Sequence, residues 1–319
     1  MVSSAGRRAR RAGVRITALG AACALLTAAC TASPEQAPAT PEAAAECRPG
    51  PPSEILVPPC GAWWGMHVPY PDDGDAVGAV TAWEKRIGRK LDMVSYYHDM
   101  SLTPSGELLN DQERRLGRDR ILLLAWETEL WRDGGQRTWA DLASGRLDKE
   151  IVDPQARRIK AYGKPVIISF DGEMEIRPAQ TGTPEEYVAA FRHLHDRFAE
   201  LGVDNVIWAW VVTGYLPLKD RWKAFYPGPE YVDWIGFDQY NYYPCRGDRW
   251  QSFTEVIKPT YDWFQANGFA DKPIMLGEYG TEHDPDRPRA QGEWCADLAD
   301  ALRAMPAIKA VVQWNDKAD

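Results

Sequence analysis

Basic residues are in deficit: 37 Lys and Arg stand against 46 Asp and Glu in 319 positions, a net charge of −9 with a pI near 5.2. That balance argues against a nucleic-acid partner, which favours a basic footprint. Cysteine is scarce, six in all, and none shows C-x-x-C spacing, so a zinc site is not expected. No glycine-rich phosphate loop follows the first predicted strand, which weighs against a dinucleotide-binding sheet. Histidines and carboxylates are not gathered as a metal site requires, and no cofactor is expected.

Aromatic residues are plentiful instead. They make up 11% of the chain, and 14 of them are Trp. Some must be core, but a surplus of indoles also suits sugar-binding clefts, where a flat ring covers the apolar face of a pyranose.

The N-terminus reads as a targeting segment, residues 1–30. Five arginines lie between Arg7 and Arg15, and an apolar run follows from Ile16 to Ala29. A basic region before a short apolar one is a secretory signal, too short for a comfortable membrane span. Ala28 and Ala29 before Cys30 resemble a bacterial lipobox, which would make Cys30 the lipidated first residue of the mature protein. Residues 31–58, rich in Ala, Pro, Glu and Thr at their start, read as a disordered tether. An extracellular or cell-surface, lipid-anchored monomer is expected. Cys47, Cys60, Cys245 and Cys295 remain in the exported part, and an even number in an oxidising compartment implies two disulfides. Three pairings are open; locality favours Cys47–Cys60 and Cys245–Cys295.

From residue 59 to 319 strand and helix patterns alternate. Strands are predicted at Gly61–Pro69, in "LDMVSYYHDM", at Arg120–Glu127 and Pro165–Phe170. Four more are predicted at Asn205–Val212 and Val232–Tyr243 and in "KPIMLGEYGT" and "AIKAVVQWND". Between them lie helical stretches, one opened by Thr183-Pro184-Glu185-Glu186 with acids at the positive end of the dipole. Alternation of this kind builds βαβ units, and eight of them over about 260 residues match a (β/α)₈ TIM barrel. The chain stops five residues beyond Trp314 with no eighth helix. The expectation is therefore a fragment, with a poorly covered seam between the last and first strands.

In such a barrel the carboxyl ends of the strands share one face. Glu173 follows the fourth strand in "PVIISFDGEME", and Glu278 ends the seventh in "IMLGEYGT". Two carboxyl groups brought together are what a retaining glycosidase uses, one as protonated acid and one as nucleophile. "GKPVIISFDGEME", "DNVIWAWVVTGY", "YPGPEYVDWIGFDQYNYY", "KPIMLGEYGTE" and "VVQWND" together resemble glycoside hydrolase family 26, the β-mannanase family, from Gly61 to Asp319. The resemblance implies Glu173 as acid/base, Glu278 as nucleophile, Tyr240 as hydrogen-bond donor to the nucleophile and Trp314 as a sugar platform. It implies β-1,4-mannan as first substrate.

The chain also departs from that family. Gly172 stands where the family has histidine, Glu175 where it has asparagine, and "IRPAQTGTP" replaces a Trp-rich segment. β-Glucan, xylan, or a surface carbohydrate-binding protein without turnover are therefore alternatives. Glu175 competes with Glu173 as the acid, and Tyr242 and Tyr243 compete with Tyr240. Trp64, Trp126, Trp210 and His67 are candidate sugar contacts, and Asp171 and Asp238 candidate supports.

Overall fold

The computed structural model describes residues 47–70, 74–132 and 134–316. The predicted signal and Cys30 lie outside them. All eight predicted strands form: β1 (Trp63–His67), β2 (Met93–Asp99), β3 (Ile121–Glu127), β4 (Val166–Phe170), β5 (Val206–Val212), β6 (Trp234–Asn241), β7 (Ile274–Thr281) and β8 (Ile308–Trp314). They pair in parallel into a closed barrel. Helices fill the crossovers, among them Ala76–Ile87, Asp153–Tyr162, Pro184–Glu200 and Phe253–Ala266. The helix at Pro184 starts where its sequence signature put it. Thr183 and Glu186 form a reciprocal capping box, with Pro184 in the first turn.

Strand parity divides the apolar residues into two cores. Met93, Leu123, Ile167, Ile207, Ala209, Trp234, Met275, Ala310 and Val312 fill the barrel interior. Leu124, Ile168, Phe170, Trp208, Phe237 and Leu276 pack in the larger core with helix residues such as Phe191, Leu194 and Phe264.

The structure corrects three expectations. The seam is not open: β1 runs beside β8 from Trp63 opposite Ala310 to His67 opposite Trp314. This parallel pairing closes the sheet between its last and first strands. Secondly, the tether does not extend to residue 58 as a loose chain. Ile55, Leu56 and Val57 pack against the interior core. The indoles of Trp63 and Trp234 donate to the carbonyls of Leu56 (2.6 Å) and Ile55 (2.7 Å). A disulfide joins Cys47 to Cys60. Residues from Cys47 onward thus belong to the barrel unit, where they close its amino-terminal end. Thirdly, Cys245 and Cys295 are exposed free thiols. Locality fails there because one lies in the loop after β6 and the other on the helix Ala290–Ala296, whose buried residues are Ala290 and Trp294.

Candidate active site

At the carboxyl ends of the strands, inward-facing side chains surround a cleft of about 440 Å³, including the part open to solvent. Ser95 and Tyr97 come from β2, Glu127 from β3, Ser169 from β4, Val211 from β5, Asp238 from β6, and Gly277 and Glu278 from β7. The loop after β4 adds Gly172, Glu173 and Arg177. The two glutamates singled out in the sequence thus share one pocket.

Glu278 reaches it through an irregularity in β7. Towards β6, Phe237 stands opposite Leu276 but Asp238 opposite Glu278; towards β8, Val311 stands opposite Leu276 and Gln313 opposite Tyr279. β7 therefore carries one extra residue at Gly277–Glu278, a β-bulge. In regular alternation Glu278 would share the outward face of Leu276. With the bulge, Gly277 and Glu278 both line the cleft, and Tyr279 returns to the outer core. Position 277 has to be small, because a Cβ there would lie 2.6 Å from Asp238 Oδ1 and 3.1 Å from Val211 Cγ1.

Glu173 arrives by a strained turn. Asp171 (φ 44°) and Glu173 (φ 57°) both hold left-handed backbone, which costs a non-glycine residue ~1–3 kcal/mol and persists only where surroundings enforce it. The enforcing contacts are specific. The buried Asp171 carboxylate accepts from Thr128 N (3.1 Å), Thr128 Oγ1 (2.7 Å) and Trp139 Nε1 (2.6 Å). The Glu173 amide donates to Val211 O (2.9 Å). Glu175 Oε1 accepts from Thr213 N (2.9 Å), Thr213 Oγ1 (2.7 Å) and Trp222 Nε1 (2.7 Å). Glu175, at 1% exposure, is an anchor of this loop away from the cleft.

The two cleft glutamates have different electrostatic surroundings. Burial, then the charges of Glu278 and Glu175, push the Glu173 carboxyl up to about 7, against the opposing pull of Arg177. Burial also raises Glu278, but the hydroxyls of Tyr240 and Tyr97 oppose it by donating to its Oε2 and Oε1. Both tyrosines are held well above their ordinary range by burial and the Glu278 charge, so they remain donors. Buried Asp238 is raised well above the usual carboxylate range, first by burial and then by Glu278 and Glu173.

Not every predicted contact is in the cleft. Trp126 and Trp210 are fully buried in the outer core, against Phe198 and against Tyr226 and Phe269 respectively. Trp64 also faces outward, donating to Tyr279 Oη (2.9 Å) with the Arg89 guanidinium over its ring. Even-numbered positions on β1, β3 and β5 point away from the barrel axis, so these indoles join the outer core and not the cleft. His67 and Trp314 do meet at the rim, their rings stacked 4.4 Å apart, with Tyr97 edge-on to both. Burial lowers the His67 pKa. Tyr242 lies beside Tyr240, 5.5 Å between centroids, and is not the donor to Glu278.

Tyr97, Glu127 and Arg177 were missed. For Tyr97 and Glu127 a signal existed: Tyr97 shares parity with Met93, and Glu127 with Leu123, so each extends an interior row to the strand end. Arg177 had none, because its place depends on how the loop after β4 folds. Among the described residues no group of three or more His, Cys, Asp or Glu side chains is arranged to hold a metal ion.

Known proteins resemble this chain in sequence pattern and in fold. The sequence pattern of glycosyl hydrolase family 26 matches residues 148–305. Endoglucanase H of Acetivibrio thermocellus is 29% identical over 239 residues, covering 69% of this chain and 24% of that protein. The β-1,3-xylanase TXYA of a Vibrio species is 25% identical over 210 residues, covering 60% and 43%. The chain thus spans less than half the length of these curated relatives. A ruminal GH26 endo-β-1,4-mannanase shares the fold, with a TM-score of 0.56 at 17% identity over 80% of this chain and 59% of that one.

Proposed function

We propose that this chain carries a glycosyl hydrolase family 26 domain and that it hydrolyses β-linked polysaccharide with retention of anomeric configuration. The observation that carries the reading is the pair of glutamates in one cleft with unlike surroundings. Two tyrosine hydroxyls stabilise charge on Glu278, while burial and neighbouring acids keep a proton on Glu173. In the first step Glu278 attacks the anomeric carbon and the glycosidic C–O bond breaks. Glu173 gives its proton to the departing oxygen. A glycosyl ester on Glu278 results. Water then passes a proton to Glu173 and attacks the same carbon, which frees Glu278 and restores the acid. The His67–Trp314 stack offers a flat surface beside the cleft for a sugar ring.

For the substrate we place β-glucan and xylan ahead of the β-1,4-mannan first expected, because the relatives found by sequence carry the names endoglucanase and β-1,3-xylanase. Likeness to the mannanase is one of fold. Purified protein spanning Cys47–Asp319 is expected to release reducing sugar from mixed-linkage β-glucan or xylan when both are assayed beside β-mannan. Release from mannan alone would reverse the substrate order. Retention of glycan without release from any polymer would replace the enzyme with a carbohydrate-binding protein.

Export with a lipid anchor at Cys30 is part of the same proposal, supported by the basic segment, the apolar run and the small residues before that cysteine. Bacteria producing the full chain and fed radiolabelled palmitate should label it, and Cys30→Ala should remove the label. A variant labelled as strongly as the parent would dispose of the anchor.

A further inference from the structure

One charged pair in the cleft has no part in the mechanism above. Arg177 Nη2 donates to Glu127 Oε1 (2.7 Å) and to the carbonyl of Gly172 (2.8 Å). Its Nε lies 3.3 Å from Asp171 Oδ1, and its Nη1 3.8 Å from Glu129 Oε2. Glu127 has its other oxygen on the indole N–H of Trp131 (3.3 Å). The side chains of Arg177 and Glu127 are 14% and 17% exposed, and both line the cleft with Glu173. An arginine this enclosed is well placed to act, because its planar fork loses little further freedom on bonding.

We infer that the Arg177–Glu127 pair is a positioning clamp for the Glu173 carboxyl, tying the strained turn after β4 to the end of β3. The inference rests on the reading of Glu173 as acid/base. The geometry supports it at both ends of the turn. Arg177, which follows Glu173, donates back to the carbonyl of Gly172 just before it, with the Asp171 carboxylate in ion-pair range but not hydrogen-bonded to its Nε. Glu127 holds that guanidinium from the neighbouring strand. The clamp also places one positive and one negative charge beside the acid. Arg177 favours its ionised form and Glu127 its protonated form. The other groups acting on Glu173 are Glu278 from β7 and Glu175 from its own loop, with Asp238 and Tyr242 on and just beyond β6.

Because the two halves carry opposite charge, neutralising them in turn should shift the acid in opposite directions, and the fork itself is tested by Arg177→Lys, which keeps the charge. The test is a carboxyl-carbon NMR titration of protein labelled with 13C-glutamate, the Glu173 resonance being the one absent from Glu173→Gln. Arg177→Met should raise the Glu173 midpoint by about one pH unit, and Glu127→Gln should lower it by a similar amount. Arg177→Lys, which keeps the charge but loses the fork, should leave the midpoint near the parent value and lower kcat on the hydrolysed polymer. Shifts of the same sign in Arg177→Met and Glu127→Gln, or no shift in either, would overturn the clamp. If Arg177→Met does not fold, Glu127→Gln and Arg177→Lys decide, the first by a lowered midpoint and the second by its kcat. On a protein that hydrolyses none of the polymers, the expected shifts would leave the clamp standing and remove only the enzymatic reading.

Discussion

Glu278→Ala is expected to lower polysaccharide hydrolysis by at least three decades, ~4 kcal/mol of barrier at about 1.4 kcal/mol per decade. The loss should lie in kcat, because the carboxylate bonds to the anomeric carbon only as the reaction proceeds. Two features make the site sensitive. The β7 bulge turns this one side chain inward, and Tyr97 and Tyr240 each give a hydroxyl to one of its oxygens. Among the described residues, no other cleft carboxylate accepts from two tyrosine hydroxyls. The fold should survive, since the substitution relieves burial of a charge and leaves Gly277 and Tyr279 in place. Activity near that of the parent, in a protein with unchanged circular dichroism, would exclude Glu278 as nucleophile and make Asp238 the next acid to replace.

Glu173→Gln is expected to cost about 10²–10⁴-fold on polysaccharide, the range for loss of a general acid. An aryl glycoside with a strongly acidic phenol needs no proton in the first step, so the ester on Glu278 should still form and its breakdown should become limiting. A burst of phenol followed by a slow steady rate is the signature to look for. The parent enzyme should show a bell-shaped pH dependence, with the sign set by the two environments. Glu278 must be ionised, so activity rises as pH climbs through its value, which burial lifts above the ordinary glutamate range. Glu173 must be protonated, so activity falls as pH passes through about 7. In Glu173→Gln the falling limb should vanish from the steps that precede ester breakdown. A falling limb retained there would assign it to another group.

Much of this was legible in the chain itself. The eight strands, their alternation with helices and the start of the helix at Pro184 follow from hydrophobic period and capping chemistry, both local. Glu173 and Glu278 were legible as candidates because acids at the ends of apolar strands stand out against the cost of burying them. The choice between Glu173 and Glu175 was not. Both follow the same strand two residues apart, and only the left-handed turn separates them, sending Glu175 to Thr213 and Trp222 and leaving Glu173 to face Glu278.

The indoles teach a similar lesson. Trp64, Trp126 and Trp210 are candidate sugar contacts by residue type. A strand sends alternate side chains to opposite faces, so type alone cannot assign them. Cys245 and Cys295 were paired by their position along the chain, whereas a disulfide is decided by distance in space.

By itself, the sequence determined the order of elements, the parallel barrel they build and the identity of the acids available at its rim, because period and propensity act over a few residues. Tertiary structure alone decided which of those acids meet. It did so through an extra residue in β7, two left-handed residues after β4, and an arginine reaching back to Glu127. Each depends on contacts between strands far apart in the chain, and no local pattern encodes them.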